Sequence, residues 1–281
     1  MINILMAAAA RHSWSLRRRL VFDYRLDTPT GPILLEIERG IGWDYLHWRR
    51  LDWMVRAFRI ARRLRPNGAI IDIGANIGQS LLAAREAAPD APYFGFEPLP
   101  EEYGYIARMI ARNGWADAII LPLALSDRAG RARLGIGHDR TTSSLEAGAT
   151  VRHRMDGVIE VLTATGDEAF ARAGIGEIAI IKIDVEGHEP EVFAGLVNTL
   201  STRLPPILFE VLPPADIRER ARAEAMGTLL INHGYALARC RLDGQLEWSD
   251  TVVRDADASD PDDIRDINWM AVPIDTRAEY A

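Results

Sequence analysis

Short apolar runs alternate with segments of helical spacing over most of this chain. Ala69 to Ile73, Tyr93 to Phe96, Ala118 to Leu123, Ile178 to Ile183 and Ile207 to Val211 read as buried strands. Ile77 to Ala88, Pro100 to Arg112, Asp167 to Ala173, Pro190 to Leu200 and Ala215 to His233 read as helices. Pro100 suits a first helical turn and Asn113-Gly114 a helix end. Tyr235 to Arg239 and Trp269 to Val272 read as closing strands, and Asp243-Gly244 is a hairpin signal. Buried strands separated by helices predict an α/β fold, with a mostly parallel sheet covered on both faces. Ligands in such sheets sit beyond the carboxyl ends of the strands. The polar residues of this chain gather at those ends.

The first part of the chain follows a different pattern. Thr28-Pro29-Thr30-Gly31-Pro32 is a turn cluster, and Ile33 to Glu38 alternates weakly like a short strand. From Trp43 to Leu64 apolar residues recur at helical spacing among arginines, which predicts one amphipathic helix or a broken pair. Trp48 and Trp53 fit core packing better than the lining of a substrate entrance. Pro66-Asn67-Gly68 ends this segment. Residues 1–65 are therefore expected to form an N-terminal extension, a candidate substrate cap, and residues 66–281 the main domain. Ser126 to Ala149 is polar and loop-like, with one edge strand near Ala132 to Ile136. Its Thr141-Thr142-Ser143-Ser144 run suits either an acceptor-binding loop or a solvated one.

Composition narrows the class. The chain has 281 residues, ordinary globular hydrophobicity and a net charge of −7, which excludes wholesale disorder, collagen and coiled coil. Cys240 stands alone, so neither a disulfide within the chain nor a Cys-rich metal site is expected. No apolar run reaches the roughly 18 residues of a membrane span, and the order of charges near the start is the reverse of a secretory signal. A cytoplasmic protein is the expectation. Residues 1–65 carry 13 arginines against six acids, whereas seven Asp lie between Asp250 and Asp266. The basic stretch reads as a solvated helix face, and nucleic acid is not an expected partner of so acidic a chain. Of the 33 cationic side chains 32 are arginine, and the one lysine is Lys182.

Three stretches carry the chemistry. In Asp72-Ile73-Gly74-Ala75-Asn76-Ile77-Gly78 a strand runs into a tight turn and a helix. A pyrophosphate-binding turn would place a middle Gly where Asn76 stands. That argues against a nicotinamide cofactor, as does the lack of a Tyr-x-x-x-Lys pair. A ligand with an ammonium group and a ribose, such as S-adenosylmethionine, suits the flanking carboxylates better. Glu97, followed by Pro98, ends the next strand 19 residues after Gly78, where this architecture holds a ribose diol. Lys182, Asp184, Glu186, His188 and Glu189 fall within eight residues at a third strand end, and Glu210 ends the neighbouring strand. A Lys182–Glu210 or Lys182–Asp184 pair accounts for part of this cluster structurally. Its density points to catalysis. A metal site from Asp184, Glu186, His188, Glu189 and Glu210 is not predicted, because the spacing matches no standard ligand pattern.

Together the stretches IDIGANIGQS, FGFEPLP, LPLALSD, IKIDVEGHEPEVFAGL and PPILFEV resemble the FkbM family of S-adenosylmethionine-dependent methyltransferases. The resemblance spans residues 66–212 and extends more weakly to TPTG and INWMAVP. It implies a class I, Rossmann-like methyltransferase fold with a seven-stranded sheet. The implied reaction is methyl transfer to a hydroxyl of a sugar, glycan or polyketide-type metabolite. By the same resemblance Asp72, Gly74, Ala75, Asn76 and Gly78 would cradle the methionine part of the cofactor. Glu97 and Pro98 would lie at the ribose, and Leu125 and Ser126 near the adenine. Asp184 would lie beside the transferred methyl group, with Glu186 and His188 as further proton-handling candidates and Lys182 and Glu210 in the same cluster. His188 departs from the family pattern, in which a small residue is common. A non-catalytic binding protein on the same fold is the alternative, and the intact ionisable cluster argues against it. Lys182 is expected to be a buried, paired cation of the site, because arginine's wider fork does not replace a compact ammonium.

Overall fold

The computed structural model describes residues 21–38, 41, 42, 45, 51–137, 143, 145, 155–212, 214, 216–241, 245–253 and 267–280. Trp43, Trp48, Thr141, Thr142, Ser144, the Asp243-Gly244 signal and most of the late acidic stretch lie outside those residues.

The chain opens with an antiparallel hairpin, β1 (Val21–Thr28) and β2 (Gly31–Glu38), turned at the Thr28–Gly31 cluster. Helix α1 (Asp52–Leu64) follows and buries Met54, Val55, Phe58 and Ala61 on its apolar stripe. The alternating unit then begins: β3 (Ala69–Ile73), α2 (Gln79–Ala87), β4 (Tyr93–Phe96), α3 (Pro100–Asn113) and β5 (Ala118–Leu121). Pro100 stands in the first turn of α3, and Gly114 closes that helix in the left-handed conformation. Three strands come next: β6 (Ala124–Leu125), β7 (Gly130–Gly137) and β8 (Met155–Ala164). The second half runs α4 (Gly166–Arg172), β9 (Ile178–Ile183), α5 (Glu189–Ala194), α6 (Val197–Thr202), β10 (Ile207–Glu210), α7 (Ile217–Asn232), β11 (Tyr235–Cys240), β12 (Leu246–Ser249) and β13 (Asn268–Pro273).

The main sheet has eight strands in the order β12-β11-β13-β10-β9-β3-β4-β5. Strands β5, β4, β3, β9 and β10 are mutually parallel, and β13 inserts antiparallel between β10 and β11. Seven of these strands make the expected sheet. The eighth, β12, is an added edge paired to β11. β3 lies between β4 and β9, so successive crossovers leave it in opposite directions. That strand is the topological switch point.

Each face of the sheet has its own core. One face packs β1–β2, α1, α2 and α3 against Ile70, Tyr93, Ile180 and Leu208. The other packs α4 to α7 against Ile71, Ile73, Ile181, Ile183 and Phe209. Residues of the N-terminal extension thus share a continuous core with the main sheet, and Trp53 packs against it. Asn113 docks the hairpin on α3 through paired hydrogen bonds to the Leu34 backbone, both at 2.8 Å.

The edge strand expected near Ala132 to Ile136 is β7, and with β6 and β8, which flank the polar stretch and were not expected, it forms a three-stranded sheet whose inner face closes a small core around Leu99, Leu134 and Val161. One further expectation changes. The helix expected from Pro190 to Leu200 is two short helices parted at Gly195, where an added Cβ would come within 2.1 Å of the Ser126 carbonyl. No helix among the described residues is long and apolar enough to cross a membrane.

Candidate active site

A cavity opens at the carboxyl ends of β3, β4 and β9. Gly74 and Asn76 form one wall, and Glu97, Pro98 and Leu99 the next. Asp184, Val185, Glu186 and His188 form the third. The remaining wall is largely apolar and comes from Leu123, Leu125, Leu134 and Leu145, with Ser143 among them. Ser143 accepts a hydrogen bond from the Gly137 amide at 3.0 Å. So one hydroxyl of the Thr141–Ser144 run lies at the cavity.

The turn after β3 is fixed from several sides. The Gly74 and Ala75 amides donate to the Phe96 carbonyl at 3.0 and 3.1 Å. Asn76 takes the left-handed conformation, and its amide donates to Glu97 Oε2 at 2.8 Å. The Leu99 amide donates to Glu97 Oε1, also at 2.8 Å. Burial pushes the Glu97 carboxyl up to about 7, against the two amides that favour its charge. Its oxygens keep lone pairs for a ligand. Asn76 Oδ1 is buried with no hydrogen-bond partner among the described residues.

Asp72 is not at the cavity. It is fully buried on β3, in register with Lys182 on β9, and receives the Tyr93 hydroxyl. Lys182 Nζ lies 3.2 Å from Asp72 Oδ1 and 3.2 Å from Asp184 Oδ2, and donates to the Gly74 carbonyl at 2.8 Å. Burial alone would lower the Lys182 pKa, but Asp184 and Asp72 outweigh it and hold the ammonium above the ordinary lysine range. The expected Lys182–Asp184 pair is present. The Asp72 carboxylate, expected at the cofactor, is occupied by Lys182 and Tyr93 and does not line the cavity.

The turn after β9 is strained. Glu186 adopts φ 55° and Gly187 φ 97°. The buried Glu189 carboxylate holds this turn by accepting the Val185 and Gly187 amides at 3.1 and 3.3 Å. Burial pushes Glu189 up to about 7. His188 Nε2 lies 2.9 Å from Ser126 Oγ, and Nδ1 lies 3.5 Å from Glu191, which Arg222 holds at 2.6 Å. Glu191, Arg222, Tyr93, Leu99 and Leu134 were not among the expected site residues. Nothing in the linear spacing marks a contact such as that of Arg222 with Glu191, 31 residues apart.

Gly74, Asn76, Glu97, Pro98, Leu125, Asp184, Glu186 and His188 therefore meet at one cavity, while Ala75, Gly78, Ser126, Lys182 and Glu210 do not line it. No three of the described His, Cys, Asp and Glu side chains are arranged to hold a metal ion. His233 lies apart, with Nδ1 against the Leu229 carbonyl, and His12, His47, His138 and His153 are outside the described residues.

Glu210 is pushed up to about 9 by burial and by the negative charge of Asp184, against the opposing Lys182. A carboxyl whose folded pKa is raised binds its proton more tightly in the native state. Its stabilising contribution is complete below about pH 4.5 and is lost as pH rises through the folded value. Glu97 and Glu189 act in the same direction around pH 7. Denaturant midpoints of Glu210→Gln and the parent should therefore diverge between about pH 5 and 9, the variant losing less stability at the alkaline end. Parallel pH curves would refute a protonated Glu210.

Residues 72–237 match the model of the methyltransferase FkbM domain. The chain is 29% identical over 201 residues to 31-O-demethyl-FK506 methyltransferase FkbM of Streptomyces tacrolimicus, covering 62% of this chain and 75% of that one. It is 29% identical over 160 residues to hexuronic acid methyltransferase AglP of Haloferax volcanii, covering 53% and 62%. It is 31% identical over 150 residues to 2-O-methyltransferase NoeI of Sinorhizobium fredii, covering 49% and 60%. The alignments with the last two span less than two thirds of those relatives' length.

Proposed function

This chain belongs to the methyltransferase FkbM family, and from that premise we propose that it transfers a methyl group from S-adenosylmethionine to a hydroxyl oxygen of a sugar or polyketide-type acceptor. The observation that carries the reading is the convergence of Asn76, Glu97 and Asp184 on one cavity at the switch point. The residues fit the cofactor. Asn76 Oδ1 is a buried acceptor in need of a donor, such as the cofactor's ammonium group. Glu97 offers a carboxyl that both accepts and, at its raised pKa, donates to a diol. Leu99, Leu123 and Leu125 give a base an apolar surface. The acidic groups Asp184 and Glu186 suit a cationic sulfur centre.

When bound, the cofactor supplies a methyl group made electrophilic by its sulfonium. The protein's part is positioning and proton removal. Asp184, held by Lys182, orients the acceptor at the cavity wall. The acceptor hydroxyl must lose its proton as the oxygen is methylated, and Glu186 and His188 are in place at the same wall to receive it. Ser126 and Glu191 flank the two nitrogens of that imidazole. The relatives named for hexuronic acid, 2-O and 31-O methylation motivate the acceptor class. The enzyme is expected to work in the cytoplasm on small or glycan acceptors.

Calorimetry with S-adenosylmethionine and S-adenosylhomocysteine tests the reading. Both should bind in the micromolar range, and Glu97→Ala should weaken each by about tenfold or more, the size of a lost charge-assisted hydrogen-bond pair. Absence of binding by the parent protein rejects the function. Unchanged affinity in Glu97→Ala rejects the ribose assignment alone.

A further inference from the structure

Among the described residues, one support of the cofactor turn comes from outside the main domain. Helix α2 begins at Gln79, capped by Gly78 in the left-handed conformation, so the Ile77 carbonyl precedes the helix and has no partner within it. The Gly78 amide, in the same peptide unit, donates to the Ala75 carbonyl at 2.8 Å. The Ile77 carbonyl is taken by the hydroxyl of Tyr45, which belongs to the N-terminal extension and is completely buried. Tyr45 is stacked on Tyr105, ring centroids 6.5 Å apart and planes 12° from parallel. Tyr105 in turn donates its hydroxyl to the Glu36 carbonyl of the hairpin at 2.7 Å. The 77–78 peptide unit is thus held at both edges, and its Ile77 lies between two left-handed residues, Asn76 and Gly78. Losing either bond would leave one polar group of that unit without its protein partner.

We propose that Tyr45 is a positioning residue for the cofactor turn: its hydroxyl locks the Ile77–Gly78 peptide and so holds the Asn76 side chain at the cavity wall. The proposal rests on the S-adenosylmethionine reading of that cavity. It gives the N-terminal extension a part in cofactor binding, where the sequence suggested only a cap over the acceptor.

Tyr45→Phe and Tyr105→Phe make a matched pair, since each removes one hydroxyl that a backbone carbonyl accepts and keeps the ring stack. Calorimetry with S-adenosylhomocysteine is expected to show about tenfold weaker binding in Tyr45→Phe, the effect of one buried acceptor left unpaired. Tyr105→Phe should bind within about twofold of the parent while losing similar thermal stability. Amide hydrogen exchange without ligand gives a second readout: the Ala75–Gly78 amides should exchange faster in Tyr45→Phe and unchanged in Tyr105→Phe. Parent-like affinity and exchange in Tyr45→Phe, or equal weakening in both variants, would overturn the proposal. A parent protein that binds no S-adenosylhomocysteine would instead reject the function, with the exchange comparison still deciding the tether.

Discussion

Lys182→Met should destabilise the fold by about 3–5 kcal/mol, the usual cost of leaving a buried charge without its partner. Met is unbranched and nearly as large as lysine, lacking only the terminal nitrogen, so the loss comes chiefly from electrostatics rather than from a cavity. The ammonium is buried and meets two carboxylates at 3.2 Å and the Gly74 carbonyl at 2.8 Å. Without it Asp72, fully buried, keeps only the Tyr93 hydroxyl. Asp184 also loses its anchor at the cavity. Lys182→Arg is the sharper companion. A guanidinium spreads the charge over a plane that the compact site between β3 and β9 is not shaped for, so most of the loss should remain. The double variant Lys182→Met with Asp72→Asn should recover much of the stability, because no buried charge is then left alone. Denaturant midpoints measure all three. A Lys182→Met loss below about 1 kcal/mol would reduce the one lysine of the chain to an accident of composition.

That pair also marks the limit of what the sequence could say. The period of two places Asp72 and Lys182 on definite faces of their strands. Only the sheet order sets β3 beside β9, with those residues in register. Read alone, Asp72 is a carboxylate at a strand end before a Gly-rich turn, and such carboxylates commonly face ligands. The order of apolar runs was enough for the mostly parallel sheet and for the turn at Gly74, but not for the strand order that makes β3 the switch point. The same motifs were enough to bring Asn76, Glu97, Asp184 and His188 to one site. Strand β8 escaped because Val158 and Leu162 are exposed on its outer face, about half accessible, which erases the alternation that marks a half-buried strand. Glu189 was visible as an acid but not as the clamp of a strained turn. That role depends on two backbone amides and the left-handed Glu186. The Arg222–Glu191–His188–Ser126 chain joins α7, α5 and the end of β6, and no local pattern encodes it.

Gly74→Ala should be still more disruptive, abolishing cofactor binding and costing more than about 4 kcal/mol of stability. Gly74 has φ +80°, where an L side chain is strained by about 1–2 kcal/mol. Strain is the smaller part. An added Cβ would lie 1.8 Å from the Asp184 carbonyl oxygen and 2.9 Å from its carbon. Both are backbone atoms that no rotamer change can move. The Asp184 amide donates to the Ile73 carbonyl at 3.0 Å, so relief requires the ends of β3 and β9 to part. Parting them would also break the Lys182 contact with Gly74 and displace Asp184 from Asn76 across the cavity. Two other glycines separate the causes. Gly114 has φ +66° with nothing within 4 Å of an added Cβ, so Gly114→Ala should show the conformational strain alone. For Gly78, at φ +91°, the nearest atoms to an added Cβ are in the Ile106 and Met109 side chains at 3.3 Å, and those can yield. Thermal melting and calorimetry with S-adenosylhomocysteine should therefore rank the variants Gly114→Ala, Gly78→Ala, Gly74→Ala in order of increasing damage. If Gly74→Ala were as mild as Gly114→Ala, the close approach of β3 and β9 would not be what builds the site.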